Sequence, residues 1–396
     1  MQMKILMAAQ TFYKQIYKVS DSHLADAFVH MGHQVLYLSG PINVFRVRYL
    51  LDKGLVGCEY RRIFKTWIQG GVYHNENLLE YHPFSLLPIN RKVPLGNTDL
   101  ALFHNMTLTF PSIYRYIKKH GFAQPDLLLV SQLQMAELLD RVDAKVKILR
   151  LTDDIPSFRH MPDKIKILER RAVEKADIVV VTSLVFRNRL SNIRKDIVYI
   201  PNAVDYEFYH SADRSLPPEY GGMEGPIVVY IGAIDYWFDT DLVAFLARHH
   251  PAVNFVLIGI PRISLDSLRG FKNVHLLGAR PYTELPKYLW NATVGIIPFK
   301  RDPLVDAICP LKLYEYTACS LPVIATKSRE LEAIRSPAFL VNTPQEFVDT
   351  LSYVLNSNQE ELALSSMRFA KDNSWDMRAT ALLKIANLKL SEDGSK

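Results

Sequence analysis

Residues 294–326, VGIIPFKRDPLVDAICPLKLYEYTACSLPVIAT, constrain this chain more than any other stretch. The apolar run Val294–Pro298 reads as a buried parallel strand. A polar loop follows. Pro310 then stands where a helix opens, since proline suits the first helical position. Lys312 and Glu315, three apart, share one face of that helix. A second apolar run, Pro322–Ala325, returns as a strand. Strand, helix and strand in this order build a parallel sheet wrapped by helices. Free N–H groups at the helix start, with Lys312 beside them, make a site for a diphosphate. Glu315, one turn deeper, is an acceptor for sugar hydroxyls. These residues alone fit a surface ion pair on an ordinary helix equally well.

The same alternation recurs along the chain. At 396 residues it exceeds one comfortable core, so two domains are expected. Lys4–Ala8, Asp126–Ser131, Val146–Leu151 and Ile178–Thr182 read as strands in the first half. Asp21 or Ser22 is placed to cap a helix through Met31, and Lys164–Lys175 reads as another helix. Residues 206–226 are rich in Pro, Gly, Ser and charge, and read as a linker. A second series begins at Ile227: strands at Asn254–Ile258, Val274–Leu276 and Phe339–Val341, helices from Asp239 and Thr283, and helices from Thr343 to the end. The opening MQMKILMAAQ reads as a first strand without a secretory pattern. No apolar run approaches a bilayer-spanning length.

Three cysteines, Cys58, Cys309 and Cys319, are too few for a disulfide framework and lack metal-ligand spacing, which fits a reducing cytoplasm. Asp239-Thr240-Asp241 spells a D-x-D metal motif, but it opens a helix, where aspartates cap free N–H groups. Charge is uneven. Residues 1–200 hold 28 Lys and Arg against 18 Asp and Glu, net +10, within a chain of net +6. The first half therefore suits an anionic partner. Residues 44–67 and 114–122 interleave basic and aromatic side chains, as do segments resting on anionic lipid; an amphipathic helix packed on the core is the alternative. No nucleic-acid-reading motif accompanies the charge.

Four segments resemble one family, in its expected order. PLKLYEYTACSLPVIAT (310–326) resembles the donor-site helix of GT-B glycosyltransferases, IPNAVD (200–205) the end of their first domain, YIGAIDYWFD (230–239) the start of their second, and HLLGARPYTELP (275–286) their base-holding loop. The likeness is strongest over residues 178–375, and is closest to bacterial cell-surface polysaccharide, teichuronic-acid and xanthan-type glucuronosyltransferases. It implies an α/β fold of two doubly wound Rossmann-like domains facing a central cleft: 1–205 for the acceptor, 206–374 for the donor, and a C-terminal helix (375–396) returning to the first. It implies transfer of a sugar from a nucleotide-diphosphate sugar, UDP-sugar favoured, to a hydroxyl of a glycan or lipid-linked acceptor in surface-polysaccharide synthesis. It further implies no metal, no cofactor beyond the nucleotide sugar as co-substrate, and a cytoplasmic place on the inner face of the plasma membrane.

Matched residue by residue, the donor site falls on Gly232, Arg280, Tyr282, Pro310, Leu311, Lys312 and Glu315. Gly232 fits a plain turn, Arg280 a solvated arginine and Tyr282 simple packing as readily. Thr152-Asp153 resembles the serine-aspartate pair of the glucuronosyltransferase-like members, so Asp153, with Asp154 beside it, is the candidate general base. Either is also placed to cap the next turn. Many retaining relatives carry E-x7-E. Here Glu315 matches the later position, but Ala307 holds the earlier one, with Asp306 one residue off, which favours inversion. A nucleotide-sugar epimerase and a non-catalytic sugar-nucleotide-binding subunit are the competing readings.

Overall fold

A computed structural model describes residues 2–13, 18–45, 47–48, 66–93, 95–157 and 161–393. Two compact units form: Met1–Ile200 together with Arg378–Lys396, and Pro201–Met377.

The first unit is an eight-stranded sheet. Its strands are β1 (Lys4–Ala8), β2 (Gln34–Leu38), β3 (Val72–Asn75), β4 (Leu78–Tyr81), β5 (Leu127–Val130), β6 (Val146–Leu151), β7 (Ile178–Val181) and β8 (Val198–Tyr199). Their order is β3-β4-β2-β1-β5-β6-β7-β8, parallel except for the β3–β4 hairpin. Helices α1 (Ser20–His30), α2 (Asp99–His104), α3 (Ile113–Lys119), α4 (Leu138–Arg141), α5 (Ile165–Lys175) and α6 (Leu184–Leu190) accompany it. β1, β5 and β7 are Val-, Ile- and Leu-rich and bury nearly every residue. Such runs suit strands covered on both faces.

The second unit carries six strands: β9 (Ile227–Ile231), β10 (Asn254–Ile258), β11 (Val274–Gly278), β12 (Val294–Ile297), β13 (Val323–Thr326) and β14 (Phe339–Val341). They are all parallel, in the order β11-β10-β9-β12-β13-β14. Around them lie α7 (Tyr206–His210), α8 (Thr240–His249), α9 (Leu285–Trp290), α10 (Leu311–Ala318), α11 (Arg329–Ile334), α12 (Pro344–Asn356) and α13 (Gln359–Lys371). A last helix, α14, spans Trp375–Asp393. In each sheet the winding reverses beside the first strand, between β1 and β5 and between β9 and β12. Ligands of open parallel sheets bind at such reversals, outside the carboxyl ends of the strands.

Several sequence expectations shift here. The stretch 206–226 is not a bare linker: α7 forms within it, and Tyr209 and Tyr220 join the core of the second unit. α1 begins at Ser20 without a side-chain cap. Asp21 instead accepts the Gln10 N–H and pairs with Arg150 at 3.2 Å, both partners buried. Asp239 does cap α8, accepting the Leu242 N–H at 2.9 Å. In the 114–122 segment Tyr116 stacks on Tyr81 at 3.7 Å and Phe122 is buried, while Arg115, Lys118 and Lys119 point outward. That is an amphipathic helix packed on a core. Within 44–67, residues 46 and 49–65 lie outside the described residues.

One close contact positions everything that follows. The Tyr316 ring lies flat against Gly295 of β12, where a Cβ would collide with it, and its hydroxyl accepts the Ile231 N–H at 2.7 Å. This bolts α10 to the end of β9. Gly295→Ala should therefore lower stability by about 1–3 kcal/mol, read from the urea midpoint of the second unit's transition; an unchanged midpoint would mean the contact is loose.

Candidate functional site

At the reversal of the second sheet, β9 ends at Gly232, with φ at +146°. A side chain here would be strained, and its Cβ would sit 3.1–3.2 Å from the end of Lys312. Lys312 thus occupies the space that glycine leaves. Its Nζ lies 5.1 Å from the Tyr230 ring centre and 4.7 Å from that of Phe299, two residues beyond β12. Among the described residues its ammonium makes no hydrogen bond or ion pair. Lys312 is half-buried. Burial pulls its pKa down to about 8, with only partial restoration by Glu315.

Pro310 proves to be the extended residue that caps α10, and Leu311 is the first helical residue. Proline offers no side chain to satisfy the opening N–H groups, so those of Leu311 and Lys312 remain available. The Cys309–Pro310 turn is held from behind. Asn202 Nδ2 donates to the Cys309 carbonyl at 2.7 Å, and the Asn202 N–H meets Cys309 Sγ at 3.4 Å.

Glu315 lies one turn further along α10. Burial pushes its carboxyl up to about 7, against the opposing pull of Tyr209 and Lys312. The Tyr209 hydroxyl is turned toward this carboxyl but lacks good hydrogen-bond geometry with any group. Tyr282 stacks on Phe208 at 4.9 Å and meets Tyr209 edge-on at 5.9 Å, so it belongs to this aromatic wall. Arg280 is placed otherwise. Its Nη2 binds Glu219 at 2.6 Å, its Nε lies 3.0 Å from the Tyr288 hydroxyl, and its Nη1 donates to the Leu277 and Ala279 carbonyls. The guanidinium fork is spent inside the protein, where it shapes the loop. Asp306 accepts the Arg329 N–H and pairs with its guanidinium at 3.3 Å.

The first sheet gathers a different set at its own reversal. Gln10 follows β1, Ser131 follows β5, and Thr152 and Asp153 follow β6. Gln10 Nε2 donates to Thr152 Oγ1 at 3.1 Å, and Thr152 Oγ1 donates to Asp153 Oδ2 at 3.0 Å. Burial raises the Asp153 carboxyl above its ordinary range; Thr152, Gln10 and Arg150 oppose the rise, and the Asp21 charge adds to it. Asp154 differs: Arg189 pairs with it at 3.3 Å while gripping Glu169 at 2.6 and 2.8 Å. Among the described residues no group of three His, Cys, Asp or Glu is placed to hold a metal ion.

Of the residues expected at the donor site, the structure places Gly232, Pro310, Leu311, Lys312 and Glu315 at the sheet reversal and the start of α10. Sequence reasoning missed Tyr230, Phe299, Tyr209 and Phe208. Tyr230 and Phe299 each border a strand end at the reversal, the one signal available for them.

Residues 225–357 match the family model described as glycosyl transferases group 1. A putative teichuronic acid biosynthesis glycosyltransferase of Bacillus subtilis (strain 168), TuaH, is 25% identical over 240 residues, 57% of this chain and 60% of that protein. The chain thus aligns with under two thirds of that relative's length. Sucrose-phosphate synthase from Thermosynechococcus elongatus has a TM-score of 0.70 at 15% identity, covering 99% of this chain and 100% of that one. Anabaena HepE, solved with UDP and glucose, has a TM-score of 0.65 at 15% identity, covering 98% and 100%.

An ammonium with a pKa near 8 is charged below that pH and neutral above it. Affinity for inorganic pyrophosphate should accordingly fall as pH rises through about 8. In Lys312→Met it should be lower by about tenfold or more and flat across that range. Calorimetric titration checks this; equal affinity of both proteins would remove Lys312 from the anion site.

Proposed function

We propose that this chain, which has the GT-B fold and whose residues 225–357 match the model of the group 1 glycosyl transferases, transfers a sugar from a nucleoside-diphosphate sugar to an acceptor hydroxyl. The donor is a UDP-sugar and the acceptor a glycan or lipid-linked sugar of a surface polysaccharide. One observation carries the reading: a desolvated lysine ammonium without an anionic contact, beside an uncapped helix start at the sheet reversal. The UDP of the HepE complex and the teichuronic-acid assignment of the Bacillus relative support the donor and product classes.

In the proposed reaction the diphosphate lies against Gly232, Lys312 and the N–H groups of Leu311 and Lys312. Glu315 accepts from the ribose hydroxyls. The Tyr282–Phe208 stack walls the base, with Arg280 holding that loop in shape. The acceptor hydroxyl gives its proton to Asp153 as its oxygen bonds to the sugar's anomeric carbon. The bond from that carbon to the diphosphate oxygen breaks, and the nucleoside diphosphate leaves with the electron pair. Lys312 and the helix N–H groups meet the charge that develops, so the reaction is assigned no metal. A single displacement of this kind inverts the anomeric centre.

Replacing Asp153 with Asn should cut kcat by about 10²–10⁴-fold with the donor KM little changed. Asp154→Asn, which loosens the Arg189 network, should cost far less in kcat. Wild-type kcat should rise with pH as Asp153 ionises. Steady-state kinetics with UDP-glucose decide it; full turnover by Asp153→Asn would dismiss this base.

A lipid-linked acceptor calls for contact with a membrane. No helix among the described residues is long and apolar enough to cross one. Peripheral contact has a candidate surface in the first unit. Segments 84–86 and 108–110 pair through Leu86 N–H to Leu108 O and Phe110 N–H to Phe84 O, leaving Leu86 and Phe110 exposed. Ile68 is also exposed, and residues 100–125 carry Arg115, Lys118 and Lys119 but no acidic side chain. Each cation near anionic lipid contributes ~1 kcal/mol. The protein should co-float with phosphatidylglycerol vesicles and not with phosphatidylcholine ones, and Phe110→Glu should weaken that flotation. Indifference to lipid charge would refute peripheral contact of this type.

A further inference from the structure

Tyr209 is fully buried, yet its hydroxyl has no hydrogen-bond partner of good geometry. Such a group is costly and calls for a reason. Its backbone is pinned: the Tyr209 carbonyl accepts the Trp290 indole N–H at 2.8 Å and faces Cys319 Sγ at 3.9 Å. Cys319 lies one turn beyond Glu315, so both share a face of α10. The ring is fixed too. Phe208 meets it edge-on at 5.2 Å and Tyr282 at 5.9 Å. With backbone and ring so held, the hydroxyl has the Glu315 carboxyl and Tyr282 as its neighbours.

We propose that Tyr209 is a positioning residue that donates to one oxygen of Glu315 when nucleotide is bound, aiming the other oxygen at the ribose hydroxyls. This rests on the reading of Glu315 as the ribose acceptor. An aligned Glu315 carboxylate would give the buried hydroxyl the well-formed hydrogen bond it lacks. The interaction also favours the ionised carboxylate, in keeping with the direction of Tyr209's pull on Glu315.

The test uses the full chain, with UDP and inorganic pyrophosphate as probes. Tyr209→Phe should weaken UDP by about tenfold and leave pyrophosphate within twofold, since only UDP carries a ribose. The acid limb of the UDP affinity profile should move to higher pH, because the group that lowered the Glu315 pKa is gone. In a Glu315→Gln background, Tyr209→Phe should add nothing. Equal weakening of both probes would mean that Tyr209 merely packs, and would overturn the proposal, as would additive losses in the double variant. Should UDP bind wild type no better than pyrophosphate, with Glu315→Gln without effect, the ribose reading itself fails and takes this role with it. Selective ¹³C-Glu NMR with saturating UDP separates the two cases: an unmoved Glu315 titration in Tyr209→Phe overturns the positioning role alone.

Discussion

A desolvated cation that makes no ion pair among the described residues is the interaction on which this structure turns. Lys312 is withdrawn from water between two aromatic rings and the bare backbone of Gly232. Ring faces attract an ammonium, by about 0.5–2 kcal/mol, which offsets part of the desolvation. The neighbouring helix start has the same sign, because its unsatisfied N–H groups carry the positive end of the α10 dipole. Cation, N–H groups and dipole therefore oppose one another until a negative group arrives. Glu315, one turn away, relieves this only partly, and its own carboxyl is pushed up to about 7 by the same dryness. The two partners are held too dry to neutralise each other fully, and in our proposal a doubly charged diphosphate resolves what they cannot.

The fold makes such tension tolerable. Parallel strands β9 and β12 pair at Val228–Val294 and Val229–Gly295, and Lys312 of α10 reaches the residues just beyond, Gly232 and Phe299. Tyr316 ties α10 to β9 from below, and Asn202 holds the Cys309–Pro310 turn. Rigid support on both sides stops the lysine from swinging out to water. The first unit repeats the architecture with opposite chemistry. At its reversal the groups are carboxylates, Asp21 and Asp153, steadied by Arg150, Thr152 and Gln10. In our proposal one topology thus serves an anion site in one unit and a base in the other, because the residues at the strand ends differ.

What could be read from the sequence follows the range of the interaction. Strands Val146–Leu151, Asn254–Ile258 and Phe339–Val341 were legible to the residue, since an unbroken apolar run between polar turns is a local signal. Asp239 was legible as a cap for the same reason: its partner is three residues away. Arg280 was not, because Glu219, which takes its guanidinium, is 61 positions distant. The 206–226 stretch misled by composition. Its prolines and glycines look like a linker, whereas Tyr209 and Tyr220 decide its structure by what they bury. Lys312 and Glu315 were found by helical spacing, but their titration near neutrality depends on Tyr230, Phe299 and Tyr209, which only tertiary packing brings near.

The same distinction bears on which aspartate takes the proton in our proposal. Thr152-Asp153-Asp154 offers two carboxylates that sequence cannot rank, and their neighbours rank them. Asp154 faces Arg189, which holds the carboxylate in an ion pair shared with Glu169. Asp153 faces a hydroxyl, in a dry setting where the Asp21 charge adds to the rise of its pKa. A carboxylate of raised proton affinity is the better acceptor near neutral pH. Stereochemistry follows from a third carboxylate. Asp306, nearest to the missing glutamate of the retaining pattern, is committed to the Arg329 backbone and guanidinium at the start of α11. With that group engaged and Asp153 poised to accept a proton, direct displacement by the acceptor oxygen is the route these side chains favour.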